Sequence, residues 1–502
     1  MYTCQKADEY IEKNRVDRAD KPEFHLTTPV GWLNDPNGFS IYGGKAHLFY
    51  QFHPYSTEWG PMHWGHSTSD DFIRWEELPT ALAPDSDYDA FGCFSGTAIE
   101  NNGKHVLFYT GVVEEKLADG TKSVIQNQCM AVGDGISYKK ISSNPVVDGK
   151  IMPEDCSRAD FRDPDLQDLP YIHKCLPLRN PKVWKDEDGR YYMLAGNRTY
   201  DGIPQVVLFS SDDMYSWKFE SVFAKDETGR FGAVWECPDY FEMDGYKVLI
   251  VSPQDMSADG EFHNGNNVVF FTGDVDEEKH IFKYEKAVSV DSGFDFYAPQ
   301  TIRTPDGRRV MIGWMQSWDS VNTLPRGQKW ACMMSVPREL MISDGKLIQT
   351  PVRELCGYRQ NKLVVNDTLR GEKTYEGING RVIDMTVDIK KAECGHFTMH
   401  FAKDEIHETN VSYTPGTQML EIDRTFAGWI RDTNCVRKVK IKNGNGLSKM
   451  RIVMDWNSIE IFVNDGEQVL STVIYTPRNA QAIVFGTDGC VELEVEKYDL
   501  NI

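Results

Sequence analysis

Two acids and one repeated triplet are the residues of this chain whose types and spacing suit chemistry. Asp35 lies in the segment GWLNDPNG and Glu236 in VWECPD. Residues 161–184, FRDPDLQDLPYIHKCLPLRNPKVW, contain Arg162-Asp163-Pro164 and, 17 residues later, Arg179-Asn180-Pro181. Two carboxylates that face one pocket are what glycoside hydrolysis requires, because one attacks or stabilises the oxocarbenium-like carbon while the other protonates the leaving oxygen.

Each acid also has an ordinary structural explanation. The sequence NDPNG is typical of a turn in which Asp and Asn side chains bond to nearby backbone groups, and a lone acid at a strand end is commonly solvated. The acids are therefore informative only if the fold brings them together, so the elements that carry them must be identified first.

Five similar turns indicate those elements. Each is a tight-turn pair followed by polar residues and an apolar strand, which is a strong hairpin signal. The second glycines of these turns are Gly44, Gly103, Gly189, Gly245 and Gly307. Their spacings of 59, 86, 56 and 62 residues predict the four-stranded blades of a five-bladed β-propeller in an all-β chain. Five unrelated hairpins are the alternative.

The longest spacing falls across the repeated triplet. Subtracting the 17 residues that separate the triplets from 86 leaves 69, which is closer to the other spacings. We therefore predict that this stretch is an insertion within the third repeat.

The glycines also set a register for the acids. The residue nine positions before Gly44 is Asp35, and the residue nine positions before Gly245 is Glu236. The same offset from Gly189 reaches Asn180. Because the first strands of propeller blades line the central channel, we expect these three positions to converge on one pocket. The apolar residues before Glu236 favour its protonated form, and the turn amides around Asp35 favour an ionised carboxylate.

Composition narrows the class of ligand. The chain has 502 residues and a net charge of −22, which argues against nucleic acid or a membrane as a partner and favours a neutral small molecule or polymer. No apolar run approaches the roughly 20 residues of a membrane span. The N-terminus shows no secretory signal, and the 11 cysteines include no CxxC pair, so we expect a cytoplasmic protein with reduced thiols.

Other chemistries find little support. The chain has no GxSxG, no P-loop and no GxGxxG that opens a helix. His53, His63 and His66 lie close together, but no Cys or carboxylate at the right spacing completes a metal site. We therefore expect neither a metal nor a cofactor.

The pattern of the chain changes after about residue 340. We predict a propeller catalytic domain over residues 1–345, a linker over 346–372 and a β-sandwich over 373–502, where alternating strands continue without the earlier turn repeat.

The motifs around the acids resemble the β-fructofuranosidases of glycoside hydrolase family 32, which include invertases, sucrose-6-phosphate hydrolases and fructanases. The matching segments are WLNDPNG at 32–38, Gln51 within HLFYQFHP, WGPMHWGHSTS at 59–69, FSGTA at 94–98, WECPD at 235–239, DSGFDFYAPQT at 291–301, GWM at 313–315 and SVPREL at 335–340.

The resemblance implies a five-bladed propeller with a C-terminal sandwich, and retaining hydrolysis of terminal non-reducing β-D-fructofuranosides. It implies that Asp35 is the nucleophile and Glu236 the general acid/base. The residues that it implies bind the fructosyl unit are Asn34, Gln51, Trp59, Phe94 and Ser95. A third acid belongs to an Arg-Asp-Pro motif that is normally followed directly by Lys-Val.

The chain departs from the family pattern at this third acid, because the intact Arg-Asp-Pro is separated from Lys182-Val183. By register Asn180 holds the third position, and by chemistry Asp163 does, with Arg162 beside it. An Asn cannot offer a full negative charge to an oxocarbenium-like state. We therefore predict that Asp163 lies in the pocket; the alternative is that the insertion displaces it and seats Asn180.

Three functions follow from these alternatives. The main hypothesis is hydrolysis of sucrose, sucrose 6-phosphate or a short fructan. Fructosyl transfer is a related alternative. A weakened, fructan-binding protein is the contrasting one, and it applies if Asn180 replaces the third acid. The sequence leaves the leaving group and the oligomeric state open.

Overall fold

The computed structural model describes residues 2–116, 122–153, 179–199, 201–320, 324–441 and 446–502. Its first part is a five-bladed β-propeller, as the turn spacing predicts, and its second part is a β-sandwich. Within the described ranges, α1 (Cys4–Asn14) is the one α-helix, and no helix there is long and apolar enough to cross a membrane.

The first three blades are regular antiparallel sheets in which neighbours along the chain are neighbours in the sheet. Their strands are β1 (Gly31–Tyr42), β2 (Lys45–His53), β3 (His63–Ser69), β4 (Glu76–Leu82), β5 (Gly92–Asn101), β6 (Lys104–Lys116), β7 (Lys122–Gly133), β8 (Tyr138–Lys140), β9 (Arg179–Lys185), β10 (Tyr191–Arg198), β11 (Pro204–Ser211) and β12 (Lys218–Lys225).

The fourth and fifth blades follow the same plan, except that the fifth is interrupted by a short strand that joins the first blade. Their strands are β13 (Val234–Met243), β14 (Tyr246–Gln254), β15 (Val269–Asp276), β16 (Ile281–Ser289), β17 (Tyr297–Arg303), β18 (Arg309–Trp314), β19 (Trp330–Ala331), β20 (Arg338–Ser343) and β21 (Lys346–Pro351). Short 3-10 helices lie at Arg18–Asp20, Gly149–Ile151, Arg353–Tyr358 and Asn464–Gly466.

The innermost strands β1, β5, β9, β13 and β17 contact one another in a closed ring. The short strand β19 pairs in parallel with the start of β1, with Gly31 opposite Trp330, and so ties the end of the fifth blade to the first. Each of the five predicted turns connects an innermost strand to the next strand of its blade. Their second glycines all have positive φ, from 73° at Gly103 to 89° at Gly307, a conformation that a residue with a Cβ rarely adopts.

The second part is built around one long strand. Its strands are β22 (Arg359–Lys373), β23 (Ile383–Glu393), β24 (Phe397–Lys403), β25 (Thr409–Thr414), β26 (Met419–Asp423), β27 (Val436–Lys440), β28 (Lys449–Asp455), β29 (Ser458–Val463), β30 (Gln468–Val473) and β31 (Ala482–Leu500). The first residues of β31 pair with β24 and its later residues with β23, so this strand belongs to both layers. Apolar side chains from both layers form one buried core between them.

The predicted linker, residues 346–372, contains paired strands. The strand β21 is the outermost strand of the fifth blade, and β22 pairs along β31. The backbone groups of both segments form hydrogen bonds with neighbouring strands. The composition of these segments is typical of a linker, so the sequence did not predict the strands. We propose that the junction between the two parts lies at the 3-10 helix Arg353–Tyr358.

Buried charges join the propeller to the sandwich. His25 Nδ1 lies 2.9 Å from Asp455 Oδ2, and its Nε2 lies 3.0 Å from Glu460 Oε1. Arg338 of the fifth blade pairs with Glu460 at 2.7 Å and with Asp291 at 3.0 Å. These side chains are almost fully inaccessible to solvent, so each charge depends on its partners for stabilisation. We call this cluster the interdomain charge network.

Candidate active site

The positions selected by the nine-residue offset lie near the starts of three innermost strands. Asp35 is in β1, Asn180 in β9 and Glu236 in β13, and all three side chains are buried. Because the strands stand side by side in the ring, residues far apart in sequence meet at one end of the channel. Cys237 of β13 contacts residues of the other two strands, since its Sγ lies 3.2 Å from Asn180 Nδ2 and 3.8 Å from Asp35 Oδ2.

Hydrogen-bond donors surround the carboxylate of Asp35. Ser95 Oγ donates to Oδ2 at 2.7 Å, and Asn34 Nδ2 donates to Oδ1 at 3.1 Å. The indole of Trp32 donates to Asn34 Oδ1 at 2.8 Å, which orients the amide so that its NH2 group faces Asp35. These donors stabilise a negative charge on a carboxylate that is only 7% exposed, as a nucleophile or an electrostatic stabiliser requires.

Glu236 lies in a different set of contacts. Gln254 Nε2 donates to its Oε2, and the Tyr297 hydroxyl lies 2.7 Å from the same oxygen. That hydroxyl also lies 2.9 Å from the carbonyl oxygen of Ser252. It has a single proton, so it donates either to Glu236 or to Ser252. When it donates to Ser252, its oxygen can accept a hydrogen bond from a protonated Glu236, so the contact is compatible with both protonation states of a general acid/base.

Arg179 places a positive charge beside the same acid. Its side chain is 1% exposed, and its Nε lies 3.5 Å from Glu236 Oε1. The guanidinium is always charged, so it places a fixed positive charge next to one carboxyl oxygen of Glu236.

Asn180, the residue that the nine-residue offset selects, lies near the start of β9 and contacts Cys237, the chain neighbour of Glu236. The backbone of Asn180 has a φ of 59°, and its N–H donates to Thr110 Oγ1 of the second blade at 3.0 Å. This side chain is 5% exposed and reaches Asp35 through Cys237. The residues of the first triplet, Arg162 and Asp163, lie outside the described residues, so the expectation that Asp163 enters the pocket stays a prediction.

The residues implied to bind the fructosyl unit lie around Asp35. Gln51 is buried and donates to the carbonyl oxygen of Cys93 at 2.8 Å. Trp59 is 40% exposed, and its ring packs edge-on against Phe94 with centroids 5.8 Å apart. The arrangement combines an aromatic wall with amides and acids, which matches the apolar C–H faces and hydroxyl groups of a sugar.

Sequence reasoning did not assign roles to Arg179, Gln254 and Tyr297, although all three contact Glu236. An offset of ten residues from the hairpin glycines, instead of nine, would have selected two of them. Arg179 lies ten residues before Gly189, and Tyr297 lies ten residues before Gly307. Gln254 comes from the second strand of its blade, where it pairs with Val234, and the offset has no bearing on that strand.

The chain matches two profiles of known protein domains. The profile of the glycosyl hydrolases family 32 N-terminal domain matches residues 25–174 and 171–351. That of the family 32 C-terminal domain matches residues 354–500. The two N-terminal matches overlap at residues 171–174, between the repeated triplets.

Similar proteins match this chain over nearly its whole length. The chain is 33% identical to a sucrose-6-phosphate hydrolase of Escherichia coli, covering 94% of this chain and 93% of the relative. It is 34% identical to a raffinose invertase of E. coli, covering 95% and 94%. A solved Bombyx mori GH32 β-fructofuranosidase matches with a TM-score of 0.82 and 30% identity over 99% of this chain and 98% of that one.

Proposed function

Because the chain belongs to glycosyl hydrolase family 32, whose members hydrolyse β-fructofuranosides, we propose that Asp35 and Glu236 are the catalytic pair of this hydrolase. The observation that carries the assignment is the difference in surroundings of the two buried acids. Asp35 accepts hydrogen bonds from Ser95 and Asn34, whereas Glu236 faces a hydroxyl that serves it in both protonation states.

The proposed reaction is a double displacement. In the first step Asp35 attacks the anomeric carbon of the fructosyl unit while Glu236 protonates the leaving oxygen, and a fructosyl ester forms on Asp35. In the second step Glu236 takes a proton from water, whose oxygen attacks the same carbon and releases Asp35. Two inversions at one carbon give retention of configuration. Arg179 supports the second step, because it stabilises the ionised Glu236 that accepts the proton.

A substrate pocket for one fructosyl unit follows from the neighbouring residues. Asn34, Gln51 and Ser95 supply polar groups near Asp35, and Phe94 with Trp59 supplies an aromatic wall on the side of the first and second blades. We propose sucrose and short fructans as substrates. Sucrose 6-phosphate is the substrate named for several similar proteins, and it belongs in the same assay.

A weakened hydrolase or a fructan-binding protein is the second candidate, and Asn180 favours it. An amide at the third position donates and accepts hydrogen bonds but carries no charge. Fructosyl transfer is the related candidate, in which a sugar hydroxyl replaces water in the second step. Formation of oligosaccharides at high sucrose concentration distinguishes transfer from hydrolysis.

The test uses the full chain and measures fructose released from sucrose, sucrose 6-phosphate and a short fructan. We expect release from at least one of them, and loss of nearly all of it in Glu236→Gln and Asp35→Asn. Binding without release in the unchanged chain would favour the fructan-binding candidate. Release that survives Glu236→Gln would disprove the assignment of the acid/base.

We propose that the enzyme acts in the cytoplasm. The nine described cysteines, among them the buried Cys237 of the pocket, are all free thiols, as is usual in a reducing compartment.

A further inference from the structure

The segment between β26 and β27 carries an exposed aromatic ring. Trp429 is 44% exposed, and the guanidinium carbon of Arg431 lies 5.3 Å from its ring centroid. An indole paired with a guanidinium at the surface offers an apolar face and several hydrogen-bond donors together. We call Trp429 and Arg431 the outer platform.

A buried ion pair fixes the base of this segment to the propeller. Arg424 is 2% exposed, and it donates to Asp295, which precedes the innermost strand of the fifth blade, and to Asp432 at 3.0 Å. Asp295 also accepts from the backbone N–H of Val473 at 2.8 Å and from Ser320 Oγ at 3.2 Å. The segment is therefore held in one position relative to the propeller.

That position is beside the strands of the catalytic pocket. Ile430 packs against Met315 and Met333. Met315 follows Trp314, which pairs with Tyr297. Met333 lies two residues beyond Ala331, which pairs with Trp32 at the start of β1. Through Ile430, the segment that carries the outer platform thus packs against residues next to the ends of β1 and β17 at which Asn34, Asp35 and Tyr297 are found.

We propose that the outer platform is a binding site for sugar units of the substrate beyond the scissile bond, so that the sandwich contributes directly to substrate choice. This inference rests on the proposed function. The fructosyl unit to be cleaved occupies the pocket of Asp35, so the remainder of the substrate leaves through the channel mouth. A sugar ring stacks its C–H face on an indole, and Arg431 donates to its hydroxyls.

The outer platform favours long substrates over short ones. Sucrose places a single glucose unit beyond the scissile bond, whereas a fructan continues outward. Trp429→Ala is therefore expected to lower kcat/KM for an inulin-type fructan about three- to tenfold and to leave kcat/KM for sucrose unchanged. Trp429→Phe should retain most of the preference, because it keeps an aromatic face.

A matched control is Tyr215→Ala, which removes an aromatic side chain of similar exposure, 50%, from the turn between β11 and β12, away from the mouth. Its kcat/KM ratio of fructan to sucrose should equal that of the unchanged chain. A direct readout comes from calorimetric titration of fructan into the intact chain carrying Glu236→Gln, with and without Trp429→Ala; the second substitution should weaken binding by a similar factor.

Two outcomes would overturn the proposal. One is an unchanged ratio of fructan to sucrose in Trp429→Ala, and the other is an equal loss for both substrates, which would place the effect in the fructosyl pocket or in folding. If no substrate releases fructose, the proposed function fails instead, and the titration with Glu236→Gln still tests the platform separately.

Discussion

The register of the strands and the chemistry of the reaction assign the third position of the site to different residues, and Asn180 is the one that register selects. Counting back from the hairpin glycine selects it, and in the structure it contacts Cys237, whose thiol also lies near Asp35. The chemical argument selects Asp163, which lies outside the described residues. Register depends only on strand pairing, which local sequence encodes well, whereas the position of a residue within an insertion depends on how that insertion folds.

Introducing a carboxylate at position 180 tests whether Asn180 or Asp163 occupies the third position of the site. If Asn180 occupies the third position in the working protein, Asn180→Asp should raise kcat on the order of 10-fold or more, because a negative charge stabilises the oxocarbenium-like transition state. Steady-state assays on sucrose measure the change, and Asn180→Ala serves as the neutral control. If Asp163→Ala abolishes activity while Asn180→Asp gives no gain, the first triplet supplies the acid.

Ser95 gives a second test at the scale of one residue. Ser95→Ala removes the 2.7 Å hydrogen bond to Asp35 Oδ2, and we expect kcat to fall about tenfold or more, since hydrogen bonds to charged groups contribute roughly 1.5–3 kcal/mol. Thr97→Ala removes another buried hydroxyl from the same strand and should leave kcat nearly unchanged. Equal effects of the two substitutions would mean that the strand, and not the contact to Asp35, is responsible.

At the scale of elements, the sequence predicted the parts that local patterns encode. Five turns with glycines at positive φ gave the number of blades, and the strands beside them followed by alternation. Two features were not predictable in this way. The strand β19 has two residues, too few for a pattern. The strands β21 and β22 acquire their partners from distant parts of the chain, so composition alone made them look like a linker.

Lys140 ties the outermost strand of the second blade to the segment that joins the first two blades. Its ammonium donates to Asp85 and Asp89, each at 2.6 Å, and the Asp89 side chain is fully buried. Lys140→Met leaves that carboxylate without its cation, and we expect the free energy of unfolding to fall by about 3 kcal/mol. Denaturant unfolding followed by fluorescence measures the loss.

Lys45→Met is the control for this prediction, because Lys45 pairs with Asp70 at 3.1 Å while both side chains are largely exposed. Exposed ion pairs contribute little to stability, so this substitution should be nearly neutral. A loss as small in Lys140→Met would show that water or a rearranged side chain compensates the buried Asp89.

At the scale of the whole molecule, the interdomain charge network makes the joint between propeller and sandwich sensitive to pH. Burial by itself would lower the pKa of His25, but its hydrogen bonds to Asp455 and Glu460 raise the pKa to about 9. The imidazolium is therefore retained in the folded protein at a pH where the unfolded chain has lost it. Its stabilising contribution is complete below pH 6.5, the ordinary value, and disappears as the pH rises through about 9.

We expect the melting temperature of the full chain to fall between pH 6.5 and 9.5 by more than it does in His25→Gln. The substitution removes the titrating group, so the variant should melt lower at pH 6.5 and converge towards the unchanged chain at alkaline pH. Differential scanning calorimetry gives both curves. Parallel curves for the two proteins would show that His25 does not carry the pH dependence.

The long strand β31 also has a consequence for biosynthesis. Its partners β22, β23 and β24 all precede it, and the last of them ends at Lys403, well before Ala482. As the ribosome releases the chain, the five blades can close before the sandwich can, because neither layer has its shared strand until β31 emerges. During that interval the exposed edges of the waiting strands are open to pairing with other chains. The nascent protein therefore needs a chaperone most in the interval between closure of the propeller and release of β31 from the ribosome.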